Sequence, residues 1–259
     1  MKHLFLCDGL QPERVAPACR DRGLGIEIQS FYDPELAFHG PDAVERQRSL
    51  VEGVERRSLH GPFADLCPGS FDPMVRDLAR SRFELAFGIA RQLDAKHVIL
   101  HHGYVPGTTP PKNWLKRIKP FFESFLADKP SEVHFCLENM VEHGPELLSD
   151  VLDAVDSPNL HACLDIGHAH CYSRVSAVQW VRKLGKRIRY VHLHDNDGQG
   201  DQHLGFGEGN LPLVDVLEEL ESRAPDAIWA VEARPESIAE SLNWLEANGF
   251  ANPSSQTNG

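Results

Sequence analysis

Eight short apolar segments alternate with amphipathic ones along this chain, and that alternation constrains the fold more than any other feature. The apolar segments are Lys2–Cys7, Gly25–Ser30, Ser58–Phe63, His97–Gly103, Val133–Met140, His161–Gly167, Ile188–Asn196 and Ile228–Arg234. Helical patterns follow at Pro12–Arg22, Asp42–Arg56, Pro73–Leu93, Lys112–Ala127, Pro145–Val155, Ser176–Leu184, Leu213–Glu221 and Ile238–Asn248. Repeated strand-then-helix units require parallel strands joined by right-handed crossovers. Eight such units close a sheet on itself, so the pattern predicts a single α/β domain, a (β/α)₈ barrel over residues 1–250, rather than an open doubly wound sheet. Residues 251–259 are polar and small and predict a disordered tail.

Charge and cysteine usage narrow the setting. The 26 Lys and Arg against 38 Asp and Glu leave a net charge of −12, which argues against a broad nucleic-acid or anionic-membrane surface. No apolar run approaches the roughly 20 residues of a membrane span. The six cysteines form no C-x-x-C pair, and Cys7, Cys136 and Cys163 lie inside apolar runs, where a thiol packs as a small hydrophobe. No signal-peptide layout precedes the first strand. These features predict a reducing, cytoplasmic setting without a disulfide framework.

The chemistry should sit where the strands end. In this kind of barrel the C-terminal ends of the strands converge on one mouth. Those ends carry His60, His101 and His102, Glu138 and Asn139, Asp165 with His168 beyond it, His192, His194 and Asp195, then Glu232 and Arg234; Asp201 and His203 follow in the loop after strand seven. Glu138, Asp165, Asp201 and Glu232 would crowd together there. Partly desolvated like charges repel by several kcal/mol or neutralise through shifted pKa values. A divalent cation removes that penalty, and mixed carboxylate and imidazole ligation suits Zn²⁺ or Mn²⁺ better than Ca²⁺. Alternation along strands seven and eight turns His192 and Glu232 inward, and in strand four it favours His101 over His102.

The segments His60-Gly-Pro-Phe63, His101-His-Gly103, Leu137-Glu-Asn139, Leu164-Asp-Ile-Gly-His168, His192-Leu-His-Asp-Asn196, Asp201-Gln-His203 with Gly207-Glu-Gly209, and Val231-Glu232 run in order over nearly the whole chain. Together they resemble the xylose-isomerase-like barrel superfamily, which includes sugar and sugar-phosphate isomerases and epimerases and also endonuclease IV. The resemblance implies one divalent metal (Mn, Zn, Co or Mg) held by Glu138, Asp165, His192 and Glu232, with no organic cofactor. It also implies that Glu138 and Glu232 exchange protons with opposite faces of a sugar or sugar phosphate through an enediolate. That division of labour, a base, a return acid and a Lewis acid, is what such an intermediate needs. His60, His101, His168, Asp201 and His203 would bind substrate or additional metal. Arg234 would either clamp a phosphate or carboxylate or form a salt bridge at the strand end, and the glycines after strand seven would either cradle a phosphate or serve a tight lid. Homodimers are common among such barrels.

Endonuclease IV is the rival reading, because its three-zinc set of nine ligands has a matching residue at every position here. Against it stand a shorter connection from His192 to Asp201, Ile166-Gly167 in place of Thr-Cys, His194 in place of Asn, and Gln202 in place of a basic residue. Outside Lys112, Lys116, Arg117 and Lys119 the mouth loops carry little positive charge for phosphate contacts. A small phosphodiester is the other substrate this rival admits. A non-catalytic sugar-binding barrel is the third reading, and no residue favours it.

Overall fold

The computed structural model describes residues 4–33 and 41–250. The strands are β1 Leu4–Cys7, β2 Gly25–Ile28, β3 Arg57–His60, β4 His97–His101, β5 His134–Glu138, β6 Leu160–Asp165, β7 Ile188–Leu193 and β8 Ile228–Val231. Each pairs in parallel with its sequence neighbours, and β8 pairs with β1, so the ring is closed. This is a (β/α)₈ barrel. The expected tail at 251–259 lies outside the described residues.

The strands are almost wholly buried because each has two apolar faces to cover. Residues such as Leu6, Ile26, Leu100, Leu137, Val191 and Val231 point outward under the helices. Phe5, Ile99, Cys136, Cys163, Tyr190 and Ile228 point inward and fill the tube. Tyr190 lies at full burial in that plug, its hydroxyl 2.7 Å from Ser58 Oγ. Above it, at the C-terminal rim, the same inward row continues as His60, His101, Glu138, Asp165 and His192, all buried. The apolar plug is therefore the floor of a polar chamber. All six cysteines are free. Among the described residues no helix is long and apolar enough to cross a membrane.

The helices are α1 Pro12–Arg22, α2 Pro41–Leu50, α3 Pro73–Gln92, α4 Pro111–Leu126, α5 Glu146–Val155, α6 Ile166–Cys171, α7 Ala177–Leu184, α8 Leu213–Arg223 and α9 Ile238–Ala247. Two differ from the sequence pattern. The helix expected over Asp42–Arg56 ends at Leu50, because the chain turns through Gly53 at φ 78°, a left-handed conformation that suits glycine. The short α6 was not expected. Asp165 caps it, its carboxylate accepting the His168 N–H at 2.7 Å, so the last residue of β6 both ends the strand and starts a helix at the mouth.

At the opposite end of the barrel, His134 Nδ1 faces His161 Nε2 at 3.1 Å. Burial, the neighbouring His134 and the Arg189 guanidinium depress His161 to about 4. A histidine depressed in the folded state binds fewer protons than the unfolded chain between that value and about 6.5. Its contribution is therefore full above pH 6.5 and is lost as pH falls toward 4. Urea denaturation across that range should show a smaller acid loss of stability in His161→Leu than in the wild type; parallel pH curves for the two proteins would refute this.

Candidate metal centre

Four strands deliver one donor atom each to a single point. His192 Nδ1 lies 3.4 Å from Glu138 Oε1, 3.9 Å from Asp165 Oδ2 and 3.3 Å from Glu232 Oε2. Donors about 2.1 Å from a shared ion stand roughly 3.4 Å apart in a tetrahedron. Of these atoms, His192 Nδ1 and Glu232 Oε2 are buried without a hydrogen-bond partner. Buried polar atoms are nearly always bonded, so two orphans aimed at the same point call for a ligand between them. The carboxylate and imidazole donors fit a divalent cation of borderline softness.

Two more donor groups flank this one. His60 Nε2 and His101 Nε2 lie 3.3 and 3.1 Å from Glu138 Oε2, so the two oxygens of Glu138 face different groups. On the other side His168 Nε2 and His203 Nε2 lie 3.2 and 3.1 Å from Asp201 Oδ2, and His194 Nε2 lies 3.6 Å from Asp201 Oδ1, itself buried and unpartnered. Thus all nine residues singled out from the sequence, Arg234 aside, fall into one continuous cluster. Arg234 lines the cavity above this cluster without joining it: its Nε and Nη2 both donate to the Gln202 carbonyl, at 3.2 and 3.1 Å. His102 points away from the chamber and is bonded to the buried Glu142.

The backbone orients several of these rings. His60 Nδ1 donates to the Gly61 carbonyl, His168 Nδ1 to that of Asn139 and His203 Nδ1 to that of Glu232, each at 2.9 Å. Each bond keeps a proton on Nδ1 and turns Nε2 inward, where it can ligate once a cation displaces its proton, the usual outer support of a metal-ligating histidine. Asn139 also clamps the Asp165 backbone, donating to its carbonyl at 2.9 Å and accepting its N–H at 2.8 Å. Gly167 is needed at its position: a Cβ there would come within 2.0 Å of His194 Cε1.

Charge balance follows from the crowding. Burial alone would raise Glu138, but the facing His192 and His101 imidazoles hold it well below the usual carboxylate range. Burial likewise opposes ionisation of Asp165, yet His168 and His194 bring it down to about 2. Glu232 goes the other way, raised by burial. Burial works against a charged His192, but Cys163 and the Glu232, Glu27 and Glu138 carboxylates push it well above its ordinary value. His203, facing Asp201, rises to about 9 against its own burial.

The sequence pattern overlooked Glu27, Gln29 and Asp8. Glu27 Oε2 is 3.0 Å from His192 Nε2. The Gln29 amide donates to Glu27 Oε1 at 3.2 Å and to Glu232 Oε1 at 2.6 Å. Buried Asp8 accepts the N–H groups of Leu10 and Gln29 at 3.0 and 3.2 Å, fixing the turn beside the chamber. The missed signal was a glutamate between Ile26 and Ile28, an acid inside an apolar strand. A cavity of about 340 Å³ opens over the chamber, lined among others by Leu10, Gln29, Tyr32, Phe63, Glu232 and Pro235. Tyr32 stacks on Phe63 with centroids 5.7 Å apart, and Phe63 stacks on His101 at 4.6 Å.

Comparison with known proteins agrees with this architecture. Residues 52–248 match the family described as the xylose isomerase-like TIM barrel. The chain is 33% identical over 199 residues to the uncharacterized protein MJ1311 of Methanocaldococcus jannaschii, spanning 72% of this chain and 66% of that one. It is 26% identical over 171 residues to fructoselysine 3-epimerase of Escherichia coli O157:H7, spanning 62% of this chain and 61% of the epimerase. These matches therefore span just under two thirds of either relative's length. Among solved structures, a D-tagatose 3-epimerase-like protein superposes with a TM-score of 0.79 at 27% identity, over 96% of this chain and 97% of that one.

Zinc should therefore displace protons from histidines such as His192 and His203, whose pKa values stand above 6.5 without a cation. Its apparent affinity should keep rising as pH passes histidine's ordinary value of about 6.5 and continues toward 9, where His203 loses its proton unaided, and calorimetry in buffers of different ionisation enthalpy should report proton release. Free zinc at about 100 times Kd should add about 2.7 kcal/mol of stability. A melting temperature indifferent to zinc, manganese, cobalt and magnesium would count decisively against a metal centre here.

Proposed function

This chain belongs to the xylose isomerase-like TIM barrel family, and we propose that it is a divalent-metal-dependent epimerase or isomerase of an unphosphorylated keto sugar. The observation that carries the reading is the unpartnered His192 Nδ1 with one oxygen each from Glu138, Asp165 and Glu232 around it. These four residues would hold the metal, which when bound steadies adjacent substrate oxygens and the negative charge that develops when a carbon beside the carbonyl loses its proton. Its similarity to fructoselysine 3-epimerase supports a ketose as the substrate class.

Glu138, at the end of β5, and Glu232, just beyond β8, each bring one carboxylate oxygen to His192 Nδ1, at 3.4 and 3.3 Å. In the reaction one carboxylate takes the proton from the carbon beside the carbonyl, and the C–H electron pair passes into an enediolate. The other carboxyl then delivers a proton to the opposite face of that carbon, regenerating the carbonyl with inverted configuration. The first carboxyl is left protonated and the second ionised, and exchange with water at the mouth resets both. His60 and His101, with Nε2 atoms turned into the chamber, would bind substrate hydroxyls. The Tyr32–Phe63 stack offers an apolar wall to the carbon skeleton.

An unphosphorylated substrate is favoured by how the loop after β7 is held. The Asp195 carboxylate accepts the N–H groups of Asn196, Gly207, Gly209 and Leu211 at 2.8–3.1 Å. An internal anion thus takes amides that a phosphate would need.

A second reading, hydrolysis of a phosphodiester by several metals, draws on the two flanking groups around Glu138 Oε2 and Asp201. Metal content separates them: about one ion per chain accords with epimerisation, about three with the hydrolytic centre.

Glu138→Gln and Glu232→Gln should each lower kcat on ketoses such as D-fructose or D-tagatose at least about 1000-fold, in keeping with loss of a positioned acid or base together with a metal ligand. Solvent deuterium should enter the epimerised carbon in the wild type. Full turnover in either variant, or epimerisation without deuterium uptake, would end this assignment.

A further inference from the structure

Glu27 is a buried carboxylate that the four-donor set does not use. It stands on β2, fully inside the barrel, in register with Cys7. Its Oε2 meets His192 at Nε2, 3.0 Å away, on the far side of the ring from the point where Glu138, Asp165 and Glu232 converge on Nδ1. An ion held at Nδ1 is therefore beyond the reach of the bond that Glu27 makes, so Glu27 cannot be a further ligand to that ion while this bond stands.

Its placement does something else. A carboxylate is an acceptor only, so the His192 nitrogen facing it must carry a proton. With the proton on Nε2, Nδ1 is the nitrogen that can give up its proton and offer a lone pair to an ion held among the three other carboxylates. The opposite tautomer would set a lone pair against Glu27 and leave Nδ1 protonated, unable to ligate. The ring plane is held independently: His60 lies parallel to it at 5.9 Å and Tyr190 meets it edge-on at 5.7 Å. Ring packing thus leaves the choice of tautomer, and Glu27 makes it. Three of the other inward-turned histidines need no such residue, because backbone carbonyls fix His60, His168 and His203. His192 sits within the strand ladder at full burial and takes a side chain instead.

We propose that Glu27 is the positioning residue that fixes the His192 tautomer and turns its Nδ1 lone pair toward the metal site, with Gln29 tying Glu27 to Glu232. The inference rests on the metal-dependent reading above. Gln29 gives the tie a direct path, since one amide nitrogen reaches both carboxylates. Glu27 thereby acts on two of the four donors without touching the ion.

Zinc affinity, measured by competition with a chromophoric chelator, tests this on the wild type, Glu27→Gln and Glu27→Ala. Visible spectra of the cobalt-loaded proteins and melting of the metal-free ones complete the set. Glutamine keeps the shape, but its amide can donate to Nε2 and so stabilise the wrong tautomer. Both variants should bind zinc about 10- to 100-fold more weakly, the range for loss of an outer partner of a metal-bound histidine. The cobalt spectrum should change, while metal-free Glu27→Gln melts as a folded protein. Wild-type zinc affinity and an unchanged cobalt spectrum in both variants would overturn the proposal. If Glu27→Ala does not fold, Glu27→Gln decides alone. Weakened zinc binding in the variants, beside a zinc-loaded wild type that epimerises no ketose, would remove the functional reading and leave the role of Glu27 intact; an active wild type whose variants bind zinc normally would do the reverse.

Discussion

Closing eight parallel strands into a ring forces every second side chain inward, and the chamber at the C-terminal rim follows from that geometry. Glu27, Glu138, Asp165 and His192 have nowhere else to point, and all are essentially sealed from water. Carboxylates at this density are tolerable only with compensating positive charge. In the protein alone the imidazoles supply it, which is why Glu138 and Asp165 stay low while His168 and His192 are driven up. A cation would take over that role and release the protons. Burial here is thus the source of the site's affinity for a cation as well as its main cost.

Orientation is the second requirement, and most of it is met by main-chain atoms. A carbonyl cannot change protonation state, so an imidazole that donates to one keeps the same tautomer across the working pH range. The carbonyls concerned belong to Gly61, Asn139 and Glu232, all at or just beyond the ends of β3, β5 and β8. Strands that end one residue earlier or later would misplace both the ligand and its support. His203 also holds a left-handed backbone at φ 49°, a conformation that non-glycine residues adopt at a cost and that concentrates at functional sites.

The sequence made the barrel legible because the alternation that defines it is local: each strand and each helix carries its own pattern. The same alternation sorted His101 from His102, which the structure places inside the chamber and against Glu142 respectively. Two features escaped for physical reasons. Helix α6 is too short for a helical period to register, and its start depends on Asp165 acting as a cap while also facing the chamber. Glu27 escaped because it lies within β2 and not at its end, and only three-dimensional convergence pairs position 27 with position 192. Its apolar neighbours were the available clue: an unpaired acid in a buried strand is too costly to be incidental.

The glycine-rich loop after β7 shows why composition alone misleads about ligands. Glycines there are compatible with an anion-binding loop, and the loop does bind an anion, but the anion is its own. Asp195 leaves β7 at nearly full burial and gathers amides from both ends of the loop, while Glu208 Oε2 takes the N–H of Gly205 at 2.9 Å. Gly209 has to be glycine for this to work, since a Cβ would come within 2.4 Å of Asp195 Oδ1. The loop is tightened from within, and its reward is position: Asp201 and His203 are carried over the mouth and met there by His168 and His194. What looked like a phosphate cradle is better understood as the scaffold of the chamber's third wall, and that leaves the negative charge of the site to be answered by a cation.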